Sequence, residues 1–238
     1  MKIIISGYGK MGKEIEKIAL LKSHEIILKL DNEEDWQKHK DDIKNADIAI
    51  DFSVPETAVN NILRFFKANV PVVTGTTGWN KRFEEIRTLC MEHKQTLFFA
   101  SNFSIGVNIL FALNLKLAEI MKNHPQYDVM IEETHHTQKL DAPSGTAITL
   151  AEDIIKTGSA KTKWVNSPTD INNYLEIKSF REGNITGIHN VIYASEIDTL
   201  EIKHAAKNRS GFAHGAILAA EWVQGRKGVF GMKDMLNF

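Results

Sequence analysis

At 238 residues the chain is longer than a single nucleotide-binding unit of roughly 100 to 150 residues and shorter than two ordinary domains, so one large and one small lobe are expected. Its 43% hydrophobic and 25% charged residues exclude a disordered chain, and 29 basic against 30 acidic residues leave no global field for nucleic acid or an anionic membrane. One cysteine, Cys90, excludes an internal disulfide, and no apolar run approaches the ~20 residues of a membrane span; with a strand-like opening Met1–Ser6 in place of a signal peptide, the expected location is cytoplasmic.

Short apolar runs alternating with helical periodicity fill the first hundred residues, the pattern of a parallel sheet covered by helices on both faces. Strands are predicted at Ile3–Ser6, Ile26–Leu30, Ile48–Phe52, Val72–Thr74 and Thr96–Ala100. Helices are predicted at Met11–Leu21, at Glu56–Lys67 with Pro55 suited to the start, and at Asn80–His93. The segment Asp31–Asp41 is too polar for a core element and reads as surface. Ile105–Met121 reads as one long helix, followed by strands at Asp128–Thr134, Tyr174–Phe180, Ile188–Tyr193 and Leu200–His204. Consecutive strands with little helix between them suggest a mixed or antiparallel sheet. A last amphipathic helix, Phe212–Gln224, is expected to pack back on the first lobe.

Gly7-Tyr8-Gly9-Lys10-Met11-Gly12 fits G-x-G-x-x-G between a strand and a helix, and Asp31 stands about 20 residues on, where an acid would bond the ribose hydroxyls. A structural glycine turn is the bland alternative. Asp51-Phe52-Ser53 and Thr74-Gly75-Thr76-Thr77-Gly78 fall at further strand ends, where such sheets bind ligands, although capped turns would look the same.

The densest cluster of reactive side chains runs from Glu132 to Ala147. His135 and His136, adjacent on an extended chain, should point to opposite sides. His135, Thr137 and Lys139 share a parity, and the loop must curl if all are to meet one small substrate. Ser144-Gly145-Thr146 at a helix start offers N–H groups and a hydroxyl to a carboxylate, and Lys139 adds charge. Solvated histidines before a capped helix are the structural alternative. Metal binding by the paired histidines beside Glu132 and Glu133 is disfavoured, because the spacing matches no zinc motif and the lysine opposes a cation; no metal is expected.

The stretch Glu133-Thr134-His135-His136-Thr137-Gln138-Lys139-Leu140-Asp141-Ala142-Pro143-Ser144-Gly145-Thr146-Ala147 resembles the signature E-x-H-H-x-x-K-x-D-A-P-S-G-T-A of the 4-hydroxy-tetrahydrodipicolinate reductases. The resemblance extends to the glycine loop, Gly75–Gly78, Ala100–Ser104, Arg181-Glu182-Gly183 with Gly187 and His189, and Arg209. It implies a Rossmann-like α/β domain over residues 1–102 and 209–238, and a smaller α+β substrate-binding and tetramerisation domain with a mixed sheet over 103–208. It also implies hydride transfer from a nicotinamide cofactor to a cyclic dicarboxylate, in a homotetramer. His135 is then the general acid, Lys139 a proton donor or electrostatic stabiliser, and His136, Ser144, Gly145, Thr146 and Arg209 bind substrate. The cofactor set is Gly7, Gly9, Lys10, Met11, Gly12, Asp31, Phe52, Ser53, Gly75, Thr76, Thr77, Ala100, Ser101, Asn102 and Phe103.

NADH is expected to be preferred over NADPH, because Asp31 would face the extra phosphate and Asn32 stands where relatives often carry a basic residue. Two other readings compete. A non-catalytic NAD(P)-binding regulatory module would explain the glycine loop but not the histidines and lysine. Aspartate-semialdehyde-type chemistry needs a nucleophilic cysteine, and Cys90 lies within a predicted helix with nothing nearby to lower its pKa.

Overall fold

The computed structural model describes residues 1–208 and 210–238. Arg209, expected from the sequence to touch substrate, lies outside the described residues. The chain divides into two compact units, Met1–Ser104 with Ser210–Phe238, and Ile105–Arg209.

In chain order the elements are β1 (Lys2–Ser6), α1 (Lys10–Leu21), β2 (Glu25–Leu30), α2 (Glu33–Lys38), β3 (Ile48–Asp51), α3 (Pro55–Lys67), β4 (Val72–Thr74), α4 (Phe83–Glu92) and β5 (Thr96–Phe99). The second unit carries α5 (Ile105–Met121), β6 (Asp128–His135), α6 (Gly145–Lys156), β7 (Lys163–Val165), β8 (Tyr174–Arg181), β9 (Gly187–Ala194) and β10 (Thr199–Ala206). The chain then returns to the first unit with α7 (Ser210–Trp222), β11 (Gly228–Phe230) and α8 (Met232–Leu236).

The six strands of the first unit are all parallel, in the order β11-β5-β4-β3-β1-β2. Ile3, Ile4 and Ile5 are all fully buried, which only a strand covered on both faces permits. On one face Ile4, Ala49, Val72 and Leu97 pack with Ile62 and Phe65 of α3 and with Ile86 and Cys90 of α4. Helix α7 meets β3, β4 and α1 on the other. Helix α1 buries Gly12, Ile15, Ile18 and Ala19, one stripe at helical spacing. Strand order reverses between β1 and β3, and the crevice outside their carboxyl ends is where doubly wound sheets take ligands.

In the second unit the order is β10-β9-β6-β8-β7, with β9 antiparallel to both its neighbours and the remaining pairs parallel, giving the mixed sheet. Helices α5 and α6 pack together, and α6 lies against β6, β8 and β9. The face they cover carries Val129, Ile131, Leu175, Ile177, Val191 and Tyr193. The two-residue period of β6 then sets Glu133 and His135 on that same buried side, beyond the apolar packing.

Asp31–Asp41 departs from expectation. It contains a six-residue helix, α2, capped by Asn32, whose side chain accepts from Asp35 N–H while Asp35 accepts from the Asn32 N–H. Its one aromatic, Trp36, is only 6% exposed and packs tilted against Phe65 with centroids 4.9 Å apart, so this polar segment does supply a core residue. The helix expected over Asn80–His93 begins as a 3-10 turn, Asn80–Arg82, before α4. β7, β11 and α8 are short elements that hydrophobic periodicity did not reveal.

Candidate active site

At the carboxyl end of β1 each glycine of the loop has its own reason. Gly7 has φ of +83°, and a Cβ there would lie 2.3 Å from the Phe52 carbonyl oxygen. A Cβ on Gly12 would lie 2.4 Å from the Gly7 carbonyl, so helix and strand could not approach. A Cβ on Gly9, by contrast, would meet nothing within 4 Å. Gly9 is also the N-cap of α1, with no side-chain cap bond and no acidic residue in the first turn. A helix start without a side-chain cap, with open room at Gly9, is a cradle that fits a pyrophosphate.

Asp31 is exposed at the end of β2, and its Oδ1 accepts from Tyr8 N–H at 2.6 Å, tying the acid to the glycine loop. Gly75 gives room to the Phe52 ring, which a Cβ would approach to 2.2 Å; Phe52 in turn packs on Phe103 at 5.5 Å. Of the remaining candidates for the cofactor, Lys10, Thr77 and Ser101 are exposed, Met11, Ser53 and Asn102 are half-buried, and Thr76, Ala100 and Phe103 are buried. These last three can serve a ligand through backbone and wall packing.

In the second unit Glu133 is fully buried and accepts a very short hydrogen bond from His135 Nδ1 and a second from Arg181 Nη2 at 2.9 Å. Burial pushes the Glu133 carboxyl up, but bonds from His135, Ser179 and Arg181 outweigh it and hold the group down at about 2. An ionised Glu133 fixes a proton on His135 Nδ1, leaving Nε2 as the atom that can give or take one. Gly187 keeps Nε2 clear, since a Cβ there would stand 3.0 Å from it.

The His189 ring stands edge-on to that of His135, with centroids 5.1 Å apart. Burial and the neighbouring His135 push His189 down to about 3, so it is neutral. Ser144 caps α6 by accepting from Ala147 N–H at 3.3 Å, which leaves its hydroxyl proton to donate to His189 Nε2 at 3.1 Å. Ser144 thus serves the third residue of the helix, and the N–H groups of Gly145 and Thr146 stay open for an anion; a Cβ on Gly145 meets nothing within 4 Å. The loop between β6 and α6 curls as the parity argument required, with Lys139 N–H on the His136 carbonyl at 3.1 Å. Lys139 Nζ grips both oxygens of Asp141, at 2.8 and 2.7 Å, and Arg181 holds the Asp141 carbonyl at 2.6 Å. His135 is buried at the end of β6, and His136, the next residue, is half-buried.

Ligand atoms of Glu133, His135 and His189 lie within 4.8 Å of one another, close enough to hold a metal ion. Chemistry opposes that use. Glu133 is already bonded on both oxygens, one of them by a guanidinium, and a cation would have to displace it.

Two family models, described as the N-terminus and the C-terminus of dihydrodipicolinate reductase, match residues 1–103 and 106–236. A curated 4-hydroxy-tetrahydrodipicolinate reductase from Christiangramia forsetii is 46% identical over 237 residues, covering 100% of this chain and 98% of the relative. The chain belongs to the dihydrodipicolinate reductase family. A second reductase of that name, from Rickettsia bellii, is 35% identical over 97% of this chain and 90% of its own length. Among solved structures, a dipicolinate-bound dihydrodipicolinate reductase from Paenisporosarcina sp. TG-14 has a TM-score of 0.74 at 23% identity, covering 98% of each chain, a likeness of fold. The family signature contains Glu133 and Asp141, which sequence reading did not assign roles. Arg181 and His189 were also quoted without roles, and only the strand register, which sets His135 beside Arg181 and Glu133 beside His189, brings them in.

Proposed function

We propose that the chain reduces 4-hydroxy-tetrahydrodipicolinate with NAD(P)H to tetrahydrodipicolinate and water. The observation that carries this reading is the Glu133–His135 pair, in the same unit as a helix start whose Gly145 and Thr146 N–H groups are left open. A cyclic dicarboxylate needs N–H and cationic partners, and His136, Ser144, Gly145, Thr146 and Arg209 are the residues that bind it. NAD(P)H, held by the glycine loop and the Asp31, Phe52–Ser53, Gly75–Thr77 and Ala100–Phe103 segments, supplies the hydride. His135 protonates the substrate from Nε2, and the ionised Glu133 behind Nδ1 steadies the imidazolium before the transfer; such proton donation contributes ~10² to 10⁴ in rate. Lys139, oriented by Asp141, stabilises the negative end of the substrate. His135→Ala and Lys139→Ala should keep NADH affinity and lose turnover, and kcat within about threefold of wild type in both would remove them from the chemistry.

NADH is the preferred cofactor. Asp31 would oppose a 2′-phosphate, and two cations of this region are already paired, Arg64 with Glu33 at 2.8 Å and Lys29 with Glu16 at 2.6 Å. The specificity constants for both cofactors test this, and equal or better use of NADPH would refute it. The assembly is a homotetramer built on the uncovered sheet face of the second unit, where Phe180 is 47% exposed. Light scattering near 26.8 kDa would contradict that.

A further inference from the structure

Asp51 closes β3 and is fully buried. In register it stands between Ser6, the last residue of β1, and Thr74, the last of β4. Its Oδ1 accepts from Ser6 Oγ at 2.7 Å and Asn61 Nδ2 at 3.2 Å, and its Oδ2 from Thr74 Oγ1 at 3.0 Å and Thr76 Oγ1 at 2.8 Å. Among the described residues every partner is a neutral donor. Thr74 Oγ1 also accepts from Thr76 N–H at 3.3 Å, and Ser6 Oγ from Asn61 Nδ2 at 3.2 Å, so both hydroxyls are turned to give their protons to the carboxylate. Among the described residues four donors and no cation bond to it, which describes a buried carboxylate whose charge is solvated by dipoles and not cancelled.

An uncancelled buried charge is costly, and apolar or amide side chains could have joined three strand ends at lower cost. What distinguishes this position is its neighbours. Gly7 follows Ser6, Phe52 follows Asp51 and Gly75 follows Thr74, so the carboxylate sits one residue behind each of three loops around the switch-point crevice. Hydride transfer takes two electrons and a proton from the dihydronicotinamide and leaves a ring of charge +1. A fixed negative charge beneath the crevice favours that product and the transition state leading to it, without moving during the reaction.

We propose that Asp51 is a positioning residue of the cofactor crevice whose buried charge makes the first unit favour the oxidised, positively charged nicotinamide over the reduced one. The proposal rests on the reading of that unit as the dinucleotide site, and equilibrium binding separates the two: if the wild type binds neither NADH nor NAD⁺, it is the site that fails.

The test is the ratio of dissociation constants for NAD⁺ and NADH, by calorimetry or fluorescence at low salt. Asp51→Asn should raise that ratio by about tenfold, chiefly by weakening NAD⁺. If the amide does not fold, Asp51→Ser, with room for water, replaces it. Thr74→Val removes one bond but keeps the charge, and should leave the ratio within about twofold of wild type. The double variant Asp51→Asn with Asn61→Asp moves the carboxylate to the other side of one hydrogen bond and should restore the ratio. A neutral variant in which both cofactors weaken equally, or neither does, would overturn the proposal and leave Asp51 a structural clasp.

Discussion

Replacing Glu133 by Gln removes one charge while keeping the size of the side chain and an oxygen that can accept from His135 Nδ1. Arg181 loses its ion pair with Glu133 and keeps the carbonyls of Asp141 and Phe180. Breaking a buried pair in this way costs ~3 to 5 kcal/mol, and Gln, which still accepts a bond, should fall at the lower end. The pH dependence gives an independent check. Glu133 is held at about 2 against an ordinary 4.5, a difference worth ~3 kcal/mol at ~1.4 kcal/mol per pH unit. A depressed carboxyl contributes that stability fully above pH 4.5 and loses it as the pH falls through 2. The stability gap between wild type and Glu133→Gln should therefore narrow as the pH falls below about 4.5. Turnover should fall ~10²-fold or more with NADH affinity unchanged, because the imidazolium loses its counter-charge and the cofactor groups belong to the other unit. Urea melts across pH, NADH titration and steady-state rates measure all three. A variant with kcat within threefold of wild type, or a gap that persists undiminished at pH 3, would refute the dyad.

Gly187→Ala puts a methyl 3.0 Å from His135 Nε2 and should cut kcat at least tenfold without changing NADH affinity; loss of both together would point to general damage instead. Gly7→Ala, at positive φ and 2.3 Å from a carbonyl, should cost more than ~2 kcal/mol of stability, and a thermal midpoint equal to wild type would contradict the tight turn. Burial raises Cys90 to about 11, so at pH 8 the folded protein should resist thiol alkylation with no loss of activity; stoichiometric labelling under native conditions would overturn that.

Much of this was legible because the relevant signals are local. A run of isoleucines, three glycines at fixed spacing and a helix of period 3.6 define the first βαβ turn wherever they occur, and β6 could be read to within one residue by its alternation. Helix α2 escaped because one tryptophan among charges gives no periodicity; its capping residues Asn32 and Asp35 were the available sign. The candidate catalytic histidine was visible in the motif, but the bond it makes to the carboxylate two positions earlier was not. Two residues on one strand share a face, yet whether they bond depends on what fills the space between them. Arg181, His189 and Gly187 come from strands 46 or more residues away in sequence and meet His135 only through register. Asp51 was read merely as part of a small-residue loop, since nothing local announces that four donors will converge on it.

The central claim is the reaction itself. The most direct measurement follows NADH absorbance while the cyclic product of pyruvate and aspartate semialdehyde condensation is supplied fresh by its synthase. The account predicts a fall in absorbance that depends on both enzymes and is lost in His135→Ala. A flat trace from well-folded protein that still binds NADH would contradict it and leave a nucleotide-binding module without this chemistry.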